Sequence, residues 1–359
     1  MDLLHIIPYG KNLFFKEHTL PVYLTFFVTS RCNLTCKHCF YWKELNRPEQ
    51  ELSLEEIENI SSHLGHLLVL ALTGGEPFLR KDLVEIMQIF DRNTQAKVIY
   101  VITNGFNPGL IEGSVRRACL SLSNRLIVQV SIDGFEAEHD KIRGFSGSFR
   151  RAVETFRRLK ALKAEFSNLG VGIVSTYNAL NQDTFEDFLR FAALELRPDM
   201  IGTPLIRGTP QEQGLKNIGV NGYERIIHIK RELMGKSGYV SGFLGNFVRK
   251  NNDLVEDIMI RTVRTGRYQL PCYASRLSCV LGSDGTVHSC ETLSNRLGNL
   301  RECEYNLGRI WFSEKNKSIR DGIIKNRCFC THSCNISVNT SFNPLVFSQV
   351  ALSSLSSSE

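Results

Sequence analysis

Short apolar runs alternate with helix-like stretches along much of the chain, and this alternation limits the possible folds more than any other feature. Such alternation is typical of βα units arranged around a parallel sheet. The first helix-like stretch, residues 54–64, starts with a capping box formed by Ser53 and Glu56. The apolar runs are residues 22–29, 67–73, 98–103, 126–132, 170–176 and 200–205. Six units are too few for a closed eight-stranded barrel, so the sequence predicts a different α/β fold.

The composition of the 359 residues fits an enzyme with one large catalytic unit and a smaller appendage. Hydrophobic residues make up 42% of the chain, which is enough for a substantial core. The net charge of +6 is spread along the chain and favours a solvated basic surface over a nucleic-acid site. No apolar run is long enough to cross a bilayer, and the N-terminus lacks a signal-peptide pattern. The sequence therefore predicts a cytoplasmic protein with neither a membrane nor a nucleic-acid partner.

Three cysteines follow the first apolar run on one short loop. Cys32, Cys36 and Cys39 have the spacing Cys-x3-Cys-x2-Cys, which supplies three sulfur ligands and no fourth. A zinc finger uses four protein ligands, whereas three thiolates on a four-iron cluster leave one iron open for a substrate or cosubstrate. A structural metal knuckle is the alternative for this triplet. The chain has 11 cysteines, clustered near its two ends, and in a reducing cytosol such clusters indicate metal ligation more than disulfides.

Glycines and short polar residues follow the next apolar runs. The second run ends in Gly-Gly-Glu-Pro at residues 74–77, where two glycines let a ligand approach the backbone and the proline directs the chain outward. Asn104 follows the third run and Ser131 lies near the end of the fourth, and both suit a ribose or a methionyl carboxylate. An ordinary tight turn is the alternative for the glycine motif. Because the carboxyl ends of parallel strands share one edge, these motifs predict a binding site there.

Together the motifs resemble the radical S-adenosylmethionine (SAM) superfamily, over about residues 22–334. The resemblance implies an open (β/α)6 partial barrel, in which Cys32, Cys36 and Cys39 ligate a 4Fe-4S cluster whose open iron chelates SAM. One electron from the cluster would cleave SAM and yield a 5'-deoxyadenosyl radical that abstracts a hydrogen atom. The SAM-binding residues implied by the resemblance are Phe40, Gly74, Gly75, Glu76, Pro77, Asn104, Ser131, Arg143 and Ile206.

Residues 139–144 resemble the branch of the superfamily that carries a SPASM or twitch extension. In that branch Arg143 is expected near the SAM carboxylate, because a guanidinium can pair with such a group through two hydrogen bonds. Asp133, directly after the fourth run, and His139 are candidates for acid chemistry. An ordinary role in loop structure is the alternative for both, so the catalytic group stays open.

A second group of cysteines lies in the C-terminal third. Cys272 and Cys290 belong to a Cys-x12-Gly-x4-Cys pattern, and a late Cys-x3-Cys follows, which resembles the SPASM domain and its auxiliary 4Fe-4S clusters. A full SPASM domain has seven cysteines for two clusters, and this sequence has no cysteine after Cys334, so we expect one auxiliary 4Fe-4S cluster. Its implied ligands are Cys272, Cys279, Cys290 and Cys334, with Cys330 or Cys328 as an alternative fourth. A zinc site is the alternative, since four thiolates also suit zinc.

The pattern divides the chain into five segments. An N-terminal extension (1–21) precedes the partial barrel (22–210), and a bridging helical segment (211–264) leads to the cysteine-rich auxiliary-cluster domain (265–338). The serine-rich residues 339–359 lack helix caps and are predicted to be a mobile tail.

The function implied by the resemblance is that of a radical SAM oxidoreductase or modifying enzyme. We expect a peptide or protein side chain as substrate, with the auxiliary cluster handling electron transfer and a reductant protein such as flavodoxin or ferredoxin as partner. The alternative reaction is dehydrogenation or epimerisation of a small molecule such as a sugar, nucleoside or alcohol. A noncatalytic iron-sulfur or zinc scaffold is a hypothesis from another class, and it would not cleave SAM.

Overall fold

The computed structural model describes residues 9–235, 237–238, 242–290 and 295–355. Its strands are β1 (Tyr23–Thr29), β2 (Val69–Gly74), β3 (Val98–Thr103), β4 (Arg125–Ser131), β5 (Leu169–Val174), β6 (Ile201–Gly202), β7 (Ser278–Leu281), β8 (Thr286–His288) and β9 (Arg296–Asn299). They form one sheet in the order β6-β5-β4-β3-β2-β1-β7-β8-β9. Each of the six predicted apolar runs therefore lies on one of the first six strands.

Helices cover the sheet and fill most of the connections between strands. They are α1 (Lys11–Phe14), α2 (Leu54–Ser62), α3 (Leu83–Thr94), α4 (Pro108–Ser121), α5 (Glu136–Arg143), α6 (Ser148–Leu162), α7 (Phe185–Phe191), α8 (Val220–Met234), α9 (Gly242–Thr265), α10 (Leu307–Trp311), α11 (Glu314–Lys325), α12 (Ser333–Phe342) and α13 (Pro344–Leu355). Across the described ranges, none of these helices combines the length and the apolar character needed to cross a membrane.

The first six strands run parallel, and their shared rows of side chains form the core. Phe26 on β1 lies opposite Leu72 on β2, which in turn lies opposite Val101 on β3 and, one strand further, Val128 on β4. These four side chains are completely buried. A parallel sheet is stable when helices cover it in this way. The strand order confirms the predicted α/β fold with six parallel strands.

The capping box at the start of α2 is present and has a third partner. The Glu56 backbone N–H donates to Ser53 Oγ at 3.2 Å, and the Ser53 N–H donates to Glu56 Oε2 at 2.8 Å. Arg301, from the C-terminal region, donates to both oxygens of Glu56 at 2.6 and 2.9 Å. These charged hydrogen bonds lower the pKa of Glu56 to about 2. The start of α2, the first helix after the cysteine loop, is therefore bound to the C-terminal region through Arg301.

The cysteine-rich C-terminal segment continues the sheet of the barrel. Strand β7 pairs in parallel with β1, with Leu24 opposite Cys279, and β8 and β9 then add antiparallel strands. The indole N–H of Trp311 donates to the Thr19 carbonyl at 2.9 Å, so α10 is also tied to the start of the barrel. The segment at 265–338 thus shares a sheet and a core with the residues before it.

The C-terminal residues differ from the predicted mobile tail. Helix α12 continues to Phe342, and α13 follows it almost directly. Both pack on α9, and the side chains of Val338 and Phe342 are buried with Tyr9 and Tyr273. Contrary to the expectation of no caps, the Asn343 side chain accepts from the Leu345 and Val346 N–H groups at 3.2 and 3.3 Å, and apolar residues between the serines allow the packing. Residues 356–359 of the predicted tail, and residues 1–8 of the predicted N-terminal extension, lie outside the described residues.

Candidate functional site

The loop after β1 carries Cys32, Cys36 and Cys39, and the side chain of Asn46 is hydrogen-bonded to the backbone of its first cysteine. The Cys32 N–H donates to Asn46 Oδ1 at 3.0 Å, and Asn46 Nδ2 donates to the Cys32 carbonyl at 3.2 Å. Asn46 has a φ of 56°, in the left-handed region that asparagine tolerates. The sequence analysis missed Asn46, because no local motif marks a contact that spans 14 residues.

The three thiols of this loop influence one another's ionisation. Burial raises the pKa of Cys32 to about 11 and that of Cys39 to about 12, and the Cys36 thiol adds to both shifts. Burial also raises the pKa of Cys36, whereas the nearby Arg143 opposes the shift. A bound metal centre stabilises thiolates that are costly to ionise alone. The donor set and its surroundings therefore fit a cluster held by three cysteines.

The glycine motif at the end of β2 packs directly on this loop. The Gly75 N–H donates to the Thr29 carbonyl and the Glu76 N–H to the Arg31 carbonyl, each at 2.8 Å. A Cβ atom on Gly75 would lie 2.1 Å from the Arg31 carbonyl oxygen, so the approach requires glycine. Pro77 then opens a short 3-10 turn. The motif and the cysteine loop are thus one structural unit.

The Glu76 carboxylate ties the ends of β2 and β3 together. It accepts hydrogen bonds from Thr103 Oγ1 at 2.8 Å, the Asn104 N–H at 2.7 Å and the Phe78 N–H at 3.2 Å. Burial raises the pKa of Glu76 to about 7, although these donors oppose the shift. Asn104 Nδ2 donates in turn to Asn33 Oδ1 in the cysteine loop at 2.8 Å. Two strand ends and the loop therefore meet at one edge of the sheet.

Arg143 and Asp133 form a buried ion pair against the cysteine loop. Arg143 Nη2 lies 2.6 Å from Asp133 Oδ2, and Nη1 lies 3.8 Å from Cys36 Sγ. Burial alone would raise the pKa of Asp133, but Arg143, His38 and His139 hold it below its usual range. Burial lowers the pKa of His139 to about 4, and His139 Nδ1 accepts a hydrogen bond from the Asp133 N–H at 3.1 Å. Asp133 and His139 are completely buried, and Asp133 is linked to the cysteine loop through Arg143.

The other predicted SAM contacts lie along the same edge. Ser131 ends β4 and Ile206 follows β6, and both are buried. The Arg207 guanidinium lies over the Phe40 ring, 4.7 Å from its centroid. Gly208 packs on the same ring, where an added Cβ would lie 3.0 Å from Phe40 Cβ. The structure brings the predicted residues to one rim, and their contacts with SAM stay predictions.

Four C-terminal cysteines form a second group. Cys272, Cys328 and Cys330 line a small, partly open pocket together with Ile258 of α9 and Ile336 of α12. Burial raises the pKa of Cys272 to about 12, and Cys330, Cys328 and Cys290 each add to the shift. Cys290 is buried beside Cys272 and Cys328 in a small core cluster. The group therefore brings together thiols from three separate stretches of sequence.

Cys279, which the resemblance implies as a ligand together with Cys272, Cys290 and Cys334, lies apart from this group. Side chains of a strand alternate between its faces, and the register of β7 directs Cys279 toward Leu24 and Leu281 in the main core. Burial raises the pKa of Cys279, without a contribution from another described thiol. Cys334 is the second residue of α12, and burial and the Cys334 thiol, in that order, raise the pKa of Tyr100 on β3. Its role as a ligand stays a prediction.

Both cysteine groups are more open than a site for one ion. Within the described ranges, no three His, Cys, Asp or Glu side chains come close enough together to hold a metal ion. A single zinc ion needs its sulfur ligands at about 2.3 Å. A body of four irons and four sulfides is larger, and its ligands stand correspondingly farther apart. The donor types, several thiols grouped together, fit such a cluster.

Residues 26–194 match the model of the radical SAM superfamily. The chain is 30% identical to the sporulation killing factor maturation protein SkfB of Bacillus subtilis over 178 residues, 48% of this chain and 40% of that protein. The match thus spans less than half the length of SkfB. The AdoMet-dependent heme synthase of Methanosarcina barkeri is 28% identical over 318 residues, which is 84% of this chain and 85% of that protein.

The fold is similar to that of SuiB from Streptococcus suis, solved with bound S-adenosylmethionine. The TM-score is 0.60 at 14% sequence identity, and the match covers 84% of this chain and 68% of SuiB. SuiB has also been solved with its precursor peptide SuiA. At this identity the likeness shows the fold, and it confirms the predicted α/β architecture.

Proposed function

Since the chain is an enzyme of the radical SAM superfamily, we propose that it modifies a peptide or protein side chain by radical chemistry. The observation that carries the proposal is the convergence of the cysteine loop, the ends of β2 and β3, and helix α5 at one edge of the sheet. SkfB, a maturation protein, and SuiB, which binds a precursor peptide, support the peptide class. Among the sequence relatives, the SkfB match therefore favours peptide modification.

Cys32, Cys36 and Cys39 would hold the SAM-binding 4Fe-4S cluster. When bound, the cluster supplies the electron that cleaves SAM into methionine and a 5'-deoxyadenosyl radical, which takes a hydrogen atom from the substrate. Asn46 orients Cys32 through its two hydrogen bonds, and Glu76 holds Asn104 at the rim. The SAM-binding positions proposed on this rim are Phe40, Gly74, Gly75, Pro77, Asn104, Ser131 and Ile206.

For the auxiliary 4Fe-4S cluster we propose a ligand set that differs from the sequence prediction. Cys272, Cys290, Cys328 and Cys330 are the thiols that influence one another around the pocket. Cys279 would have to leave the main core to reach them. Four protein ligands would leave no iron open, so this cluster would carry electrons to or from the substrate radical.

A small-molecule reaction is the second candidate, and the heme synthase match favours it. That match covers most of both chains, whereas the SkfB match covers less than half of SkfB. A tetrapyrrole would then be the substrate to test first. For either substrate, we propose a flavodoxin or ferredoxin as the reductant and the reducing cytoplasm as the compartment, since accessible thiolate sites persist there.

The radical chemistry is tested on protein purified without oxygen and reconstituted with iron and sulfide. We expect about eight irons per chain and dithionite-dependent formation of 5'-deoxyadenosine. The combined Cys32→Ala, Cys36→Ala and Cys39→Ala variant should lose about half of the iron and all of the 5'-deoxyadenosine. Cys119→Ala, which changes a buried thiol far from both groups in sequence, is the control and should lose neither. A fully loaded, reducible protein that forms no 5'-deoxyadenosine would contradict the proposal.

The substrate class is tested separately. The enzyme is coexpressed with short peptides encoded beside its gene, and the peptides are analysed by mass spectrometry for a change in mass that requires Cys32. In parallel, the reconstituted enzyme is incubated with tetrapyrroles, and their absorption spectra are followed. A peptide mass change supports the first candidate. A spectral change of a tetrapyrrole, with unchanged peptides, would replace it with the second.

A further inference from the structure

The guanidinium of Arg143 is shared between a sulfur and a carboxylate. One terminal nitrogen donates to Cys36 Sγ at 3.8 Å, and the other lies 2.6 Å from Asp133 Oδ2. The side chain of Arg143 is 8% exposed and that of Asp133 is not exposed at all. Charges interact more strongly at such buried positions than they do in water. Cys36 therefore has a cation at its sulfur and an anion directly behind that cation.

Surrounding hydrogen bonds hold this arrangement in place. Asp133 Oδ1 accepts from the Thr176 N–H at 2.8 Å, and the Asp133 carbonyl accepts from Asn181 Nδ2 at 2.6 Å. On the other side, the Lys37 N–H donates to the Ile142 carbonyl at 2.9 Å, which joins the cysteine loop to α5 next to Arg143. Asp133, the partner of the cation, is therefore held by its own hydrogen bonds, and the helix that carries Arg143 is joined to the cysteine loop.

We propose that Arg143 and Asp133 together set the reduction potential of the cluster held by Cys36, with Arg143 acting through the Cys36 sulfur. This inference rests on the proposed function in one respect, namely that Cys36 is a cluster ligand. Arg143 is then a positioning residue, and its role differs from the SAM-carboxylate contact that the sequence predicted. To bind that carboxylate, Arg143 would have to turn away from the partners it has in the structure.

The direction of the effect follows from charge. Reduction adds one electron to the cluster, and hydrogen bonds to its sulfurs and the local net charge determine how favourable that step is. The Arg143 cation stabilises the extra negative charge and raises the potential, while the Asp133 anion offsets part of this gain. Removing the cation should therefore lower the potential, and removing the anion should raise it. A general distortion of the loop has no reason to produce opposite signs.

The test is a dithionite titration of the reconstituted full-length protein without SAM, followed by electron paramagnetic resonance. Each reduced cluster contributes its own signal to the spectrum. The signal that changes when SAM is added afterwards identifies the cluster with the open iron, called the SAM-responsive component, and the signal of the other cluster is an internal control. For Arg143→Gln we expect the reduction potential of the SAM-responsive component to fall by at least about 59 mV, which makes its reduction tenfold less favourable. Asp133→Asn should shift the potential in the opposite direction, and Arg143→Lys should lie between Arg143→Gln and the parent.

Arg151→Gln is the matched control, because Arg151 also lies over an aromatic ring near this edge, 4.3 Å from the centroid of Phe106, without a described contact to a cysteine. Its potential should equal that of the parent. SAM binding to the oxidised proteins is measured by equilibrium dialysis. Weaker SAM binding by Arg143→Gln at an unchanged potential would overturn the inference in favour of the carboxylate contact. Shifts of one sign in both Arg143→Gln and Asp133→Asn would also overturn it.

Two further outcomes keep the inference separate from the proposed function. If no component responds to SAM in the parent protein, the proposed function fails before the inference is reached. If Arg143→Gln does not fold or load iron, the reduction potentials of Arg143→Lys and Asp133→Asn are compared instead. Equal potentials in these two variants would overturn the inference.

Discussion

The two cysteine groups of this chain are built in different ways. The N-terminal group comes from one continuous loop, residues 32–39, and rests on a buried ion pair. The C-terminal group is assembled from Cys272, Cys290 and the pair Cys328 and Cys330, of which all but Cys290 line a small pocket. Spacing alone predicts a site whose members share a loop. It does not predict one whose members meet only through the tertiary fold.

The largest expected effect concerns two cysteines of the C-terminal region, Cys279, which the resemblance implies as a ligand, and Cys330, which it offers only as an alternative. Cys330→Ala removes a thiol from the C-terminal group, so we expect loss of most of the auxiliary iron, about half of the total. Cys279→Ala should keep all of the iron and cost about 1 kcal/mol in free energy of unfolding, because it leaves a small void in the core. Iron analysis and urea unfolding measure the two quantities.

Cys303→Ala is the matched control, since the Cys303 thiol contacts backbone carbonyls at 3.5 and 3.6 Å and belongs to neither group. It should keep the iron content of the parent. Loss of auxiliary iron from Cys279→Ala with full iron in Cys330→Ala would reverse the assignment and restore the ligand set that the resemblance implies.

The buried charges beneath the N-terminal loop should make that region the more sensitive to acid. The groups that face His139 are Arg143, Asp133, Asp140 and His38, and burial is the first cause that lowers the pKa of His139 to about 4 from 6.5. The unfolded state therefore takes up a proton at higher pH than the folded state. The stability that neutral His139 contributes is present above pH 6.5 and is lost as the pH falls toward 4.

The expected loss from His139 is about 2 kcal/mol in free energy of unfolding between pH 7 and pH 5. His139→Asn keeps an acceptor for the Asp133 N–H and removes the titration, so its stability should fall less over this range. Urea unfolding of the metal-free protein at both pH values provides the measurement, with His63→Asn, at an exposed histidine, as the control. If the free energy of unfolding falls equally in His139→Asn and in the parent between the two pH values, His139 is not a neutral, buried imidazole in the folded protein.

The smallest effect concerns Asn46, which supports only the N-terminal group. Asn46→Gly removes two hydrogen bonds to Cys32 and should cost about 1 kcal/mol in free energy of unfolding. Asn46→Ala should cost about 1 kcal/mol more, because alanine is strained at a φ of 56°. Both variants should release iron from the SAM-responsive cluster faster than the parent when a chelator is added. Equally fast release from the auxiliary cluster would show a global effect instead.

Local patterns in the sequence were sufficient for much of the fold. The run at 98–103 coincides with β3, and the Ser53 and Glu56 capping box starts α2 as predicted. Both depend on neighbouring residues, through burial of an apolar run and through hydrogen bonds within one helical turn. The glycine motif at 74–77 also lies where it was expected, because parallel strands end at a common edge.

The features that the sequence did not predict depend on distant partners. The side chain of Cys279 faces the core because of the register between β7 and β1, which are far apart in the chain. Asn46 reaches Cys32 only when the loop folds back. Helix α13 has no charged residues to mark it, and besides the Asn343 side chain, which caps its start, its packing on α9 stabilises a segment that resembles a tail in composition. Each of these requires knowledge of what lies opposite a residue.

The pairing of β7 with β1 has a consequence for anyone who shortens this protein. Strand β1 leads directly to Cys32, and its other neighbour is β2, so removal of Ser278–Leu281 would leave β1 as an open strand edge. That edge would carry unpaired backbone groups beside Leu24 and Phe26, a combination that invites pairing between molecules. A truncated barrel would thus be prone to aggregate. The C-terminal third therefore covers this edge of β1 as well as carrying thiols of its own.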